Sequence, residues 1–319
     1  MRFTLGTLSV CVGTIAVMTE LFLGSEALAA NLMPERAMRS LYVAVYPGVY
    51  GPGDIELTAR ERARAAWLWS RRKAVVAGNS AAAVLGAKWV SPALDADLIH
   101  DNRHPPAGIA AHSEALLPGD VVEVDGMPVT SPARTAFDVG RWTSSRLHAV
   151  QRLDALANAT NVKINDVEAV IAAHRGARGL VRLRAVLPLM DGGCESPQET
   201  RTRLVLIGAG LPAPETQIRV FDEYGGFVAR IDMGYRELHV GIEYDGPQHW
   251  TDPAQRQRDI DRHAALLDLG WSIIRVSSDL LRYRQGTLVV RVVAAMRAAG
   301  WRPSPPRVQS APLQRRVAS

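Results

Sequence analysis

Apolar positions near the start of the chain repeat at nearly helical spacing, and those in its last third alternate with polar ones. The early set comprises Leu28, Leu32, Met38 and Leu41. It predicts a small helical unit over residues 19–50. Two short β-rich runs on either side of Pro47-Gly48 close this unit. Helices followed by a two-stranded wing are typical of a winged helix, with the wing over residues 43–50.

The middle of the chain predicts helices and short strands. Thr58 and Glu61 have the spacing of a capping box and open a helix over residues 58–72. A small-residue helix is expected over 74–86, and short strands between 90 and 129 with a turn at Asp125-Gly126. Ser131 with Pro132 starts the next helix. Further helices are predicted over residues 147–159, 165–174 and 180–187.

The pattern changes beyond residues 191–193, which read Asp-Gly-Gly and mark the best domain boundary. Ser196 and Glu199 form a second capping box, with Pro197 in the first turn of the helix. The predicted elements then follow in the order α-β-β-β-α-β-α. Strands are expected over residues 216–221, 227–232, 238–245 and 271–276, and helices over 253–270 and 287–299.

Composition limits the class of partner more than the class of activity. The formal net charge is +5 and the sequence pI is about 9.5, which suits a polyanion. Cys11 and Cys194 are the two cysteines, so neither a disulfide framework nor a cysteine metal site is supported. The apolar run up to Val17 imitates a secretory signal. We favour instead a start at Met18 and a cytoplasmic location, without membrane attachment; secretion is the alternative.

Three carboxylates in the last third carry the candidate chemistry. Glu243 and Asp245 share one face of a strand, about 6.5–7 Å apart, and antiparallel pairing would bring Asp232 near Glu243. Such a cluster repels itself unless a hard cation binds, which predicts a Mg²⁺ or Mn²⁺ site. Glu199 lies upstream on a helix. His249 follows the strand closely, in position to donate a proton or to bind a phosphate. The alternative is a row of acids on a solvent-facing hairpin.

These residues resemble the domain of unknown function 559, which is grouped with the very-short-patch-repair endonucleases in the PD-(D/E)xK superfamily. The resemblance rests on four segments: Glu195-Ser196-Pro197-Gln198-Glu199; Arg230-Ile231-Asp232; Gly241-Ile242-Glu243-Tyr244-Asp245-Gly246 with His249; and Arg256, Asp259, Arg262, Gly270-Trp271 and Arg275. It implies a restriction-endonuclease-like core, with Asp232 and Glu243 as metal ligands and Glu199 as the helix acid. Asp245 stands where the superfamily often has lysine.

Arginines on the predicted helix after Pro253 are candidates for DNA backbone contacts. Arg258 and Arg262 are four residues apart and share a face. Arg256 and Arg275 complete the set, since guanidinium groups match phosphate oxygens. A solvated surface explains these arginines about equally well, and His263 is interpreted as structural.

The first half of the chain resembles AbiEi-type antitoxins of type IV toxin–antitoxin systems. The residues concerned are Ala44-Val45-Tyr46-Pro47-Gly48-Val49-Tyr50 and Asp125-Gly126-Met127-Pro128-Val129-Thr130-Ser131-Pro132-Ala133-Arg134-Thr135. The resemblance implies a DNA-binding winged helix and a toxin partner or a homo-oligomer. Its reading helix would span residues 34–41, where Arg36 and Arg39 meet phosphate. For the tyrosines of the wing we prefer packing.

The sequence as a whole predicts an α/β protein (α+β overall), with the restriction-endonuclease-like core preceded by a winged-helix and helical region. Four segments are expected: an extension or signal-like segment at 1–17, the antitoxin-like region at 18–190, the endonuclease-like domain at 195–300 and a disordered tail at 301–319. The leading function is metal-dependent hydrolysis of DNA. The alternative is a non-catalytic DNA-binding regulator, which the absence of lysine after Lys163 favours.

Overall fold

The computed structural model describes residues 18–53, 56–102, 104–246 and 253–302, apart from the side chains of 253–257 and 259. The chain divides into two compact units, Met1–Leu204 and Val205–Ser319, and we describe each by itself. The fold is mixed α/β, as predicted. The predicted extension at 1–17 and nearly all of the predicted tail at 301–319 lie outside the described residues.

The first unit begins with two short helices and a small antiparallel sheet. In chain order the elements are β1 (Phe22–Leu23), α1 (Gly24–Ala29), α2 (Glu35–Leu41), β2 (Tyr42–Tyr46) and β3 (Val49–Pro52). The sheet has the order β1-β3-β2. The predicted helices and the hairpin around Pro47-Gly48 are therefore present.

The early apolar positions do not lie on one continuous helix. Leu28 lies on α1 and Leu41 ends α2, and 36% and 53% of their surfaces are exposed. The helix is interrupted between them: Asn31 takes a left-handed φ of 49°, and Pro34 is the extended N-cap of α2. A small core instead forms around Phe22, whose ring lies 5.0 Å from that of Tyr42.

A five-stranded sheet follows in the same unit. Its members and the adjoining helices are α3 (Ala59–Trp69), β4 (Val75–Val76), α4 (Gly78–Val84), β5 (Ala96–Ile99), β6 (Ile109–His112), β7 (Val121–Val124) and β8 (Met127–Thr130). The strand order is β6-β5-β4-β8-β7. Thr58 and Glu61 form the predicted capping box at α3. The β7–β8 turn uses Asp125 and Gly126, both with positive φ, as the Asp-Gly pair indicated.

The predicted helix over residues 74–86 begins too early. Val75 and Val76 are β-branched and form β4, which pairs with Ile99 and Leu98 of β5. The helix α4 starts only at Gly78. Strand pairing outweighs the local preference of this segment for helix, because β4 lies between β5 and β8 in the sheet.

Helices complete the first unit around one apolar core. They are α5 (Pro132–Trp142), α6 (Arg146–Thr160), α7 (Ile164–Ala173), α8 (Leu180–Val186) and α9 (Pro197–Gly208), with a 3₁₀ turn at Leu187–Leu189. Phe137, Leu153 and Leu156 are fully buried in this core. The Ser131 side chain caps α5 by accepting from the Arg134 N–H, as predicted. The division between the units falls within α9.

The second unit is a four-stranded sheet with helices. Its elements are β9 (Glu215–Phe221), β10 (Phe227–Tyr235), β11 (Val240–Asp245), α10 (Pro253–Asp268), β12 (Ser272–Ser277), α11 (Ser278–Tyr283) and α12 (Gln285–Ala298). The strand order is β12-β11-β10-β9, and β12 is parallel to β11. The predicted order of elements is present with α11 added. Whether this core is a restriction-endonuclease fold stays a prediction.

Two boundaries at the connection between β10 and β11 differ from the prediction. The strand β10 continues to Tyr235, three residues further than expected. Leu238 and His239 were assigned to the next strand, but Leu238 ends a 3₁₀ turn and His239 is left-handed, with a φ of 48°. The extension of β10 depends on Gly234, where a Cβ atom would lie 2.2 Å from the Val240 carbonyl oxygen.

Asp154 of α6 is a buried carboxylate that organises the end of the first unit. It accepts hydrogen bonds from the Thr200 hydroxyl, the Arg203 guanidinium and the Asp191 N–H, each at 2.8 Å. Burial raises the pKa of Asp154 to about 6, and the Arg203 charge opposes that shift. The contact holds the start of α9 against α6.

We expect Asp154→Ala to destabilise the first unit by about 3–5 kcal/mol, because the buried Arg203 charge loses the Asp154 contact at 2.8 Å and keeps the weaker one to Asp191 at 3.9 Å. Urea denaturation of the full chain measures the change. Glu168→Ala on α7 removes an exposed carboxylate and is the control, with an expected effect within about 0.5 kcal/mol.

A double substitution separates the ion pair from simple loss of volume. Asp154→Leu with Arg203→Met replaces both charges by apolar groups, which is often close to neutral in a protein interior. We expect it to recover much of the stability that Asp154→Ala loses. A single variant as stable as the Glu168→Ala control would contradict this account of α9.

Candidate nucleic-acid interface and carboxylate site

The three predicted carboxylates lie on neighbouring strands of the second unit. Asp232 is on β10, and Glu243 and Asp245 are on β11, which runs antiparallel with Met233 opposite Ile242. An Asp232 carboxylate oxygen accepts a hydrogen bond from the Tyr244 N–H at 2.8 Å. The antiparallel pairing on which the prediction depended is therefore present, and Asp232 contacts the backbone of β11 directly after Glu243.

Glu243 is bound by an arginine. Its two carboxylate oxygens accept from the two terminal nitrogens of Arg262 on α10, at 2.9 and 3.1 Å. Only 8% of the Glu243 surface is exposed. This two-point contact is the strong geometry for an arginine–carboxylate pair. Asp245 has a looser cationic neighbour, since the Arg275 guanidinium lies 3.7 Å from its carboxylate.

A divalent cation fits this donor set only if Arg262 moves. Both Glu243 oxygens face a positive charge that already balances the carboxylate. Within the described ranges, no group of three or more His, Cys, Asp or Glu side chains is placed to hold a metal ion. The metal role of Asp232, Glu243 and Asp245 stays a prediction.

The remaining catalytic candidates occupy different environments. Glu199 belongs to the first unit, where its carboxylate completes a helix cap: it accepts from the Ser196 hydroxyl at 2.7 Å and from the Glu195 N–H at 2.9 Å. The Ser196 hydroxyl accepts from the Glu199 N–H at 3.2 Å, as the predicted capping box requires, and the returning bond comes from the Glu195 N–H. The catalytic role of Glu199 stays a prediction. His249 lies outside the described residues.

The arginines predicted to contact DNA in the second unit fall into separate groups. Arg262 is half-buried and engaged with Glu243, whereas Arg258 and Arg275 are exposed. The side chain of Arg256 lies outside the described residues. His263 is half-buried. Arg258 and Arg262 were predicted to share one face of the helix. Arg262 points towards the sheet, where it binds Glu243.

The region predicted to be a winged helix presents its arginines to solvent. Arg36 and Arg39 of α2 are exposed, and Arg39 forms an ion pair with Glu35 at 2.6 Å. Tyr46 of the wing is buried, and its hydroxyl donates to the Gly108 carbonyl at 3.0 Å. Tyr50 is half-buried, with its ring stacked 5.9 Å from that of Phe22. Packing therefore explains these two tyrosines, as expected, and leaves α2 as the charged surface.

A buried cluster of charged residues in the first unit was missed by the sequence reasoning. Asp138 of α5 is fully buried and accepts from Arg134 at 3.1 Å and from Arg141 at 2.8 Å. Arg134 also donates to Asp120 at 2.7 Å, and Asp120 contacts His174 at 2.9 Å. Burial raises the pKa of Asp138 to about 6, against both arginine charges.

The cluster links separate parts of the first unit. Asp120 comes from the segment before β7, Asp138 from α5 and His174 from the end of α7. The one sequence signal was the spacing of Arg134 and Asp138, four residues apart on a helix. That spacing usually marks an exposed pair, so it did not reveal that both side chains are buried.

No helix in the described part of the chain is long and apolar enough to cross a membrane.

Comparison with known proteins places this cluster within a recognised domain. Residues 74–189 match the AbiEi antitoxin C-terminal domain, which confirms the antitoxin resemblance over the segment that contains residues 125–135. The wing at residues 44–50 lies before the match. The resemblance of residues 195–300 to the domain of unknown function 559 stays a prediction. No solved structure matches the chain.

The chain is also similar to uncharacterized proteins of Mycobacterium tuberculosis, one from strain CDC 1551 / Oshkosh and one from strain ATCC 25618 / H37Rv. Each is 34% identical over 188 residues, which cover 59% of this chain and 68% of the relative. The chain therefore belongs to the family of these mycobacterial proteins, and its residues 74–189 match the AbiEi antitoxin C-terminal domain.

Proposed function

We propose that the protein is a DNA-binding regulator of the antitoxin type, in which the winged helix contacts duplex DNA. The observation that carries the proposal is the exposed pair Arg36 and Arg39 on α2, beside a two-stranded wing and in the same unit as the AbiEi domain. The basic balance of the chain, with a formal net charge of +5, agrees with a polyanionic partner.

Recognition by α2 follows the geometry of helix-turn-helix proteins, whose second helix enters the major groove. Arg36 and Arg39 would contact phosphates, which supply affinity and orientation more than sequence preference. The ion pair between Arg39 and Glu35 is no obstacle, because an exposed pair four residues apart contributes only about 0.3–0.5 kcal/mol. Arg39 can exchange Glu35 for a phosphate at small cost.

The AbiEi domain would provide the protein–protein contacts, with a toxin or a second copy of the chain as partner. Its buried charged residues support this assignment, because Arg134 of α5, Asp120 before β7 and His174 after α7 hold three separate segments together. A pre-organised body loses little conformational entropy when it binds a partner.

For the second unit we propose a non-catalytic role. The supporting observation is the two-point contact of Arg262 with Glu243, which neutralises a predicted metal ligand within the chain. Hydrolysis of DNA with Mg²⁺ or Mn²⁺ is the competing hypothesis. The absence of lysine after Lys163 agrees with the non-catalytic role.

Replacing both arginines of α2 is the direct test of DNA binding. We expect Arg36→Ala with Arg39→Ala to weaken binding to duplex DNA from the protein's own promoter and to reduce the salt slope of log K by about 2. Fluorescence anisotropy over a series of salt concentrations measures both quantities. The loss should be similar for unrelated duplexes, because phosphate contacts do not read sequence.

The matched control removes two exposed arginines from other helices of the same unit, Arg146→Ala with Arg184→Ala. It makes the same change in net charge and should retain most of the affinity. If both double variants lose the same affinity, the change in net charge alone explains the loss, and α2 is ruled out as the contact surface.

The role of the second unit is tested by incubating plasmid DNA with the full chain and Mg²⁺ or Mn²⁺. We expect the DNA to stay intact, because Arg262 balances the Glu243 charge that would have to bind the ion. Gel electrophoresis of wild type, Asp232→Ala and Glu243→Ala gives the answer. Cleavage by the wild type that both substitutions abolish would establish the nuclease instead.

A further inference from the structure

The hairpin between β9 and β10 exposes three aromatic side chains at its tip. Phe221 and Phe227 are 44% and 57% exposed, and Tyr224 in the turn is 88% exposed. Single exposed apolar residues are common on protein surfaces, but neighbouring aromatic residues of this size often mark a binding surface. We call Phe221, Tyr224 and Phe227 the aromatic tip.

An arginine lies against the two phenylalanine rings. The ring centroids of Phe221 and Phe227 are 6.0 Å apart, in an edge-to-face arrangement. The Arg219 guanidinium carbon lies 5.3 Å from the first centroid and 5.6 Å from the second. Arg230, opposite Arg219 in the strand pairing, is exposed as well. The surface therefore combines ring faces with positive charge.

The turn that carries Tyr224 has a defined structure. One Asp222 carboxylate oxygen accepts from the Tyr224 N–H at 2.9 Å and from the Gly226 N–H at 2.6 Å. Gly225 has a φ of 82°, which favours glycine. A Cβ atom at Gly226 would lie 2.5 Å from the Asp222 carboxylate. These contacts fix the backbone from which the Tyr224 side chain projects.

We propose that the aromatic tip binds single-stranded DNA by stacking its rings on unpaired bases. Aromatic side chains stack on any base, with a contribution of about 1–3 kcal/mol per base, and neighbouring arginines contact the phosphates. Duplex DNA cannot use these rings in the same way, because its bases already stack on one another. The choice of DNA over RNA rests on the proposed function. The aromatic tip belongs to the second unit, and α2 belongs to the first.

The chemistry of the tip favours a nucleic acid over another protein. Phenylalanine offers a ring face without a hydrogen-bonding group, and an arginine beside it adds affinity for anions. Two carboxylates lie in the turn: Asp222 is engaged with backbone N–H groups, and the exposed Glu223 acts against the proposal. Its removal should therefore strengthen the binding of DNA.

The test measures binding of the full chain to a fluorescent twelve-nucleotide oligo-dT by anisotropy. We expect Phe221→Ala with Phe227→Ala to weaken binding about tenfold or more, and Glu223→Gln to strengthen it. The control is Tyr283→Ala, which removes a 70% exposed ring of the same unit that also carries an arginine, Arg282, 5.3 Å from its centroid. The control variant should bind like the wild type.

Duplex DNA separates this proposal from the function of the winged helix. The aromatic-tip variant should keep the duplex affinity of the wild type, and thermal unfolding followed by circular dichroism checks that its second unit is folded. Failure of duplex binding with retained oligo-dT binding would overturn the role of α2 and leave the tip supported.

Three results would overturn the proposal. The first is an unchanged oligo-dT affinity in the double phenylalanine variant. The second is a tenfold preference for oligo-rU over oligo-dT, which would assign the tip to RNA. The third is self-association of the wild type that the double variant abolishes in sedimentation velocity, with no change in oligo-dT affinity; this would make the tip an interface between copies.

Discussion

A carboxylate taken out of water has to be met by a cation and by hydrogen-bond donors, and much of this chain is arranged to meet that requirement. Asp154 accepts hydrogen bonds from Arg203, a hydroxyl and a backbone N–H. Asp138 forms ion pairs with two arginines, and Glu243 accepts hydrogen bonds from both terminal nitrogens of Arg262. In each case the arginine lies on the same helix as the carboxylate or on a helix that packs nearby. The ion pair therefore also helps to fix the packing of these elements. Loss of one partner would leave a buried charge, which is far more costly than loss of an exposed pair.

Local signals predicted the fold well wherever the chain itself determines the structure. The capping box at Thr58, the Asp125-Gly126 turn and the Ser131-Pro132 start of a helix each depend on residues within four positions of one another. The prediction was wrong where distant residues decide. Val75 and Val76 form a strand because β5 and β8 lie on either side.

The candidate site was predictable in part for the same reason. Strand alternation and antiparallel pairing placed Asp232 against β11 and put Glu243 beside it in the register. The partner of Glu243 could not be inferred, because Arg262 lies nineteen residues further on and on a helix whose rotation depends on packing. The aromatic tip was overlooked, since Phe221 and Phe227 fit a strand pattern equally well whether they face a core or solvent.

The position of Arg203 has a consequence for dividing the chain into fragments. The change in sequence pattern at residues 191–193 suggests a natural place to end an isolated AbiEi domain. A fragment that ends there would keep Asp154 but lose the guanidinium of Arg203 and the hydroxyl of Thr200 that bind it. The compact unit extends to Leu204, one residue beyond Arg203. The part of α9 up to Leu204 therefore belongs with residues 74–189 in any truncated protein, although it lies outside the family match.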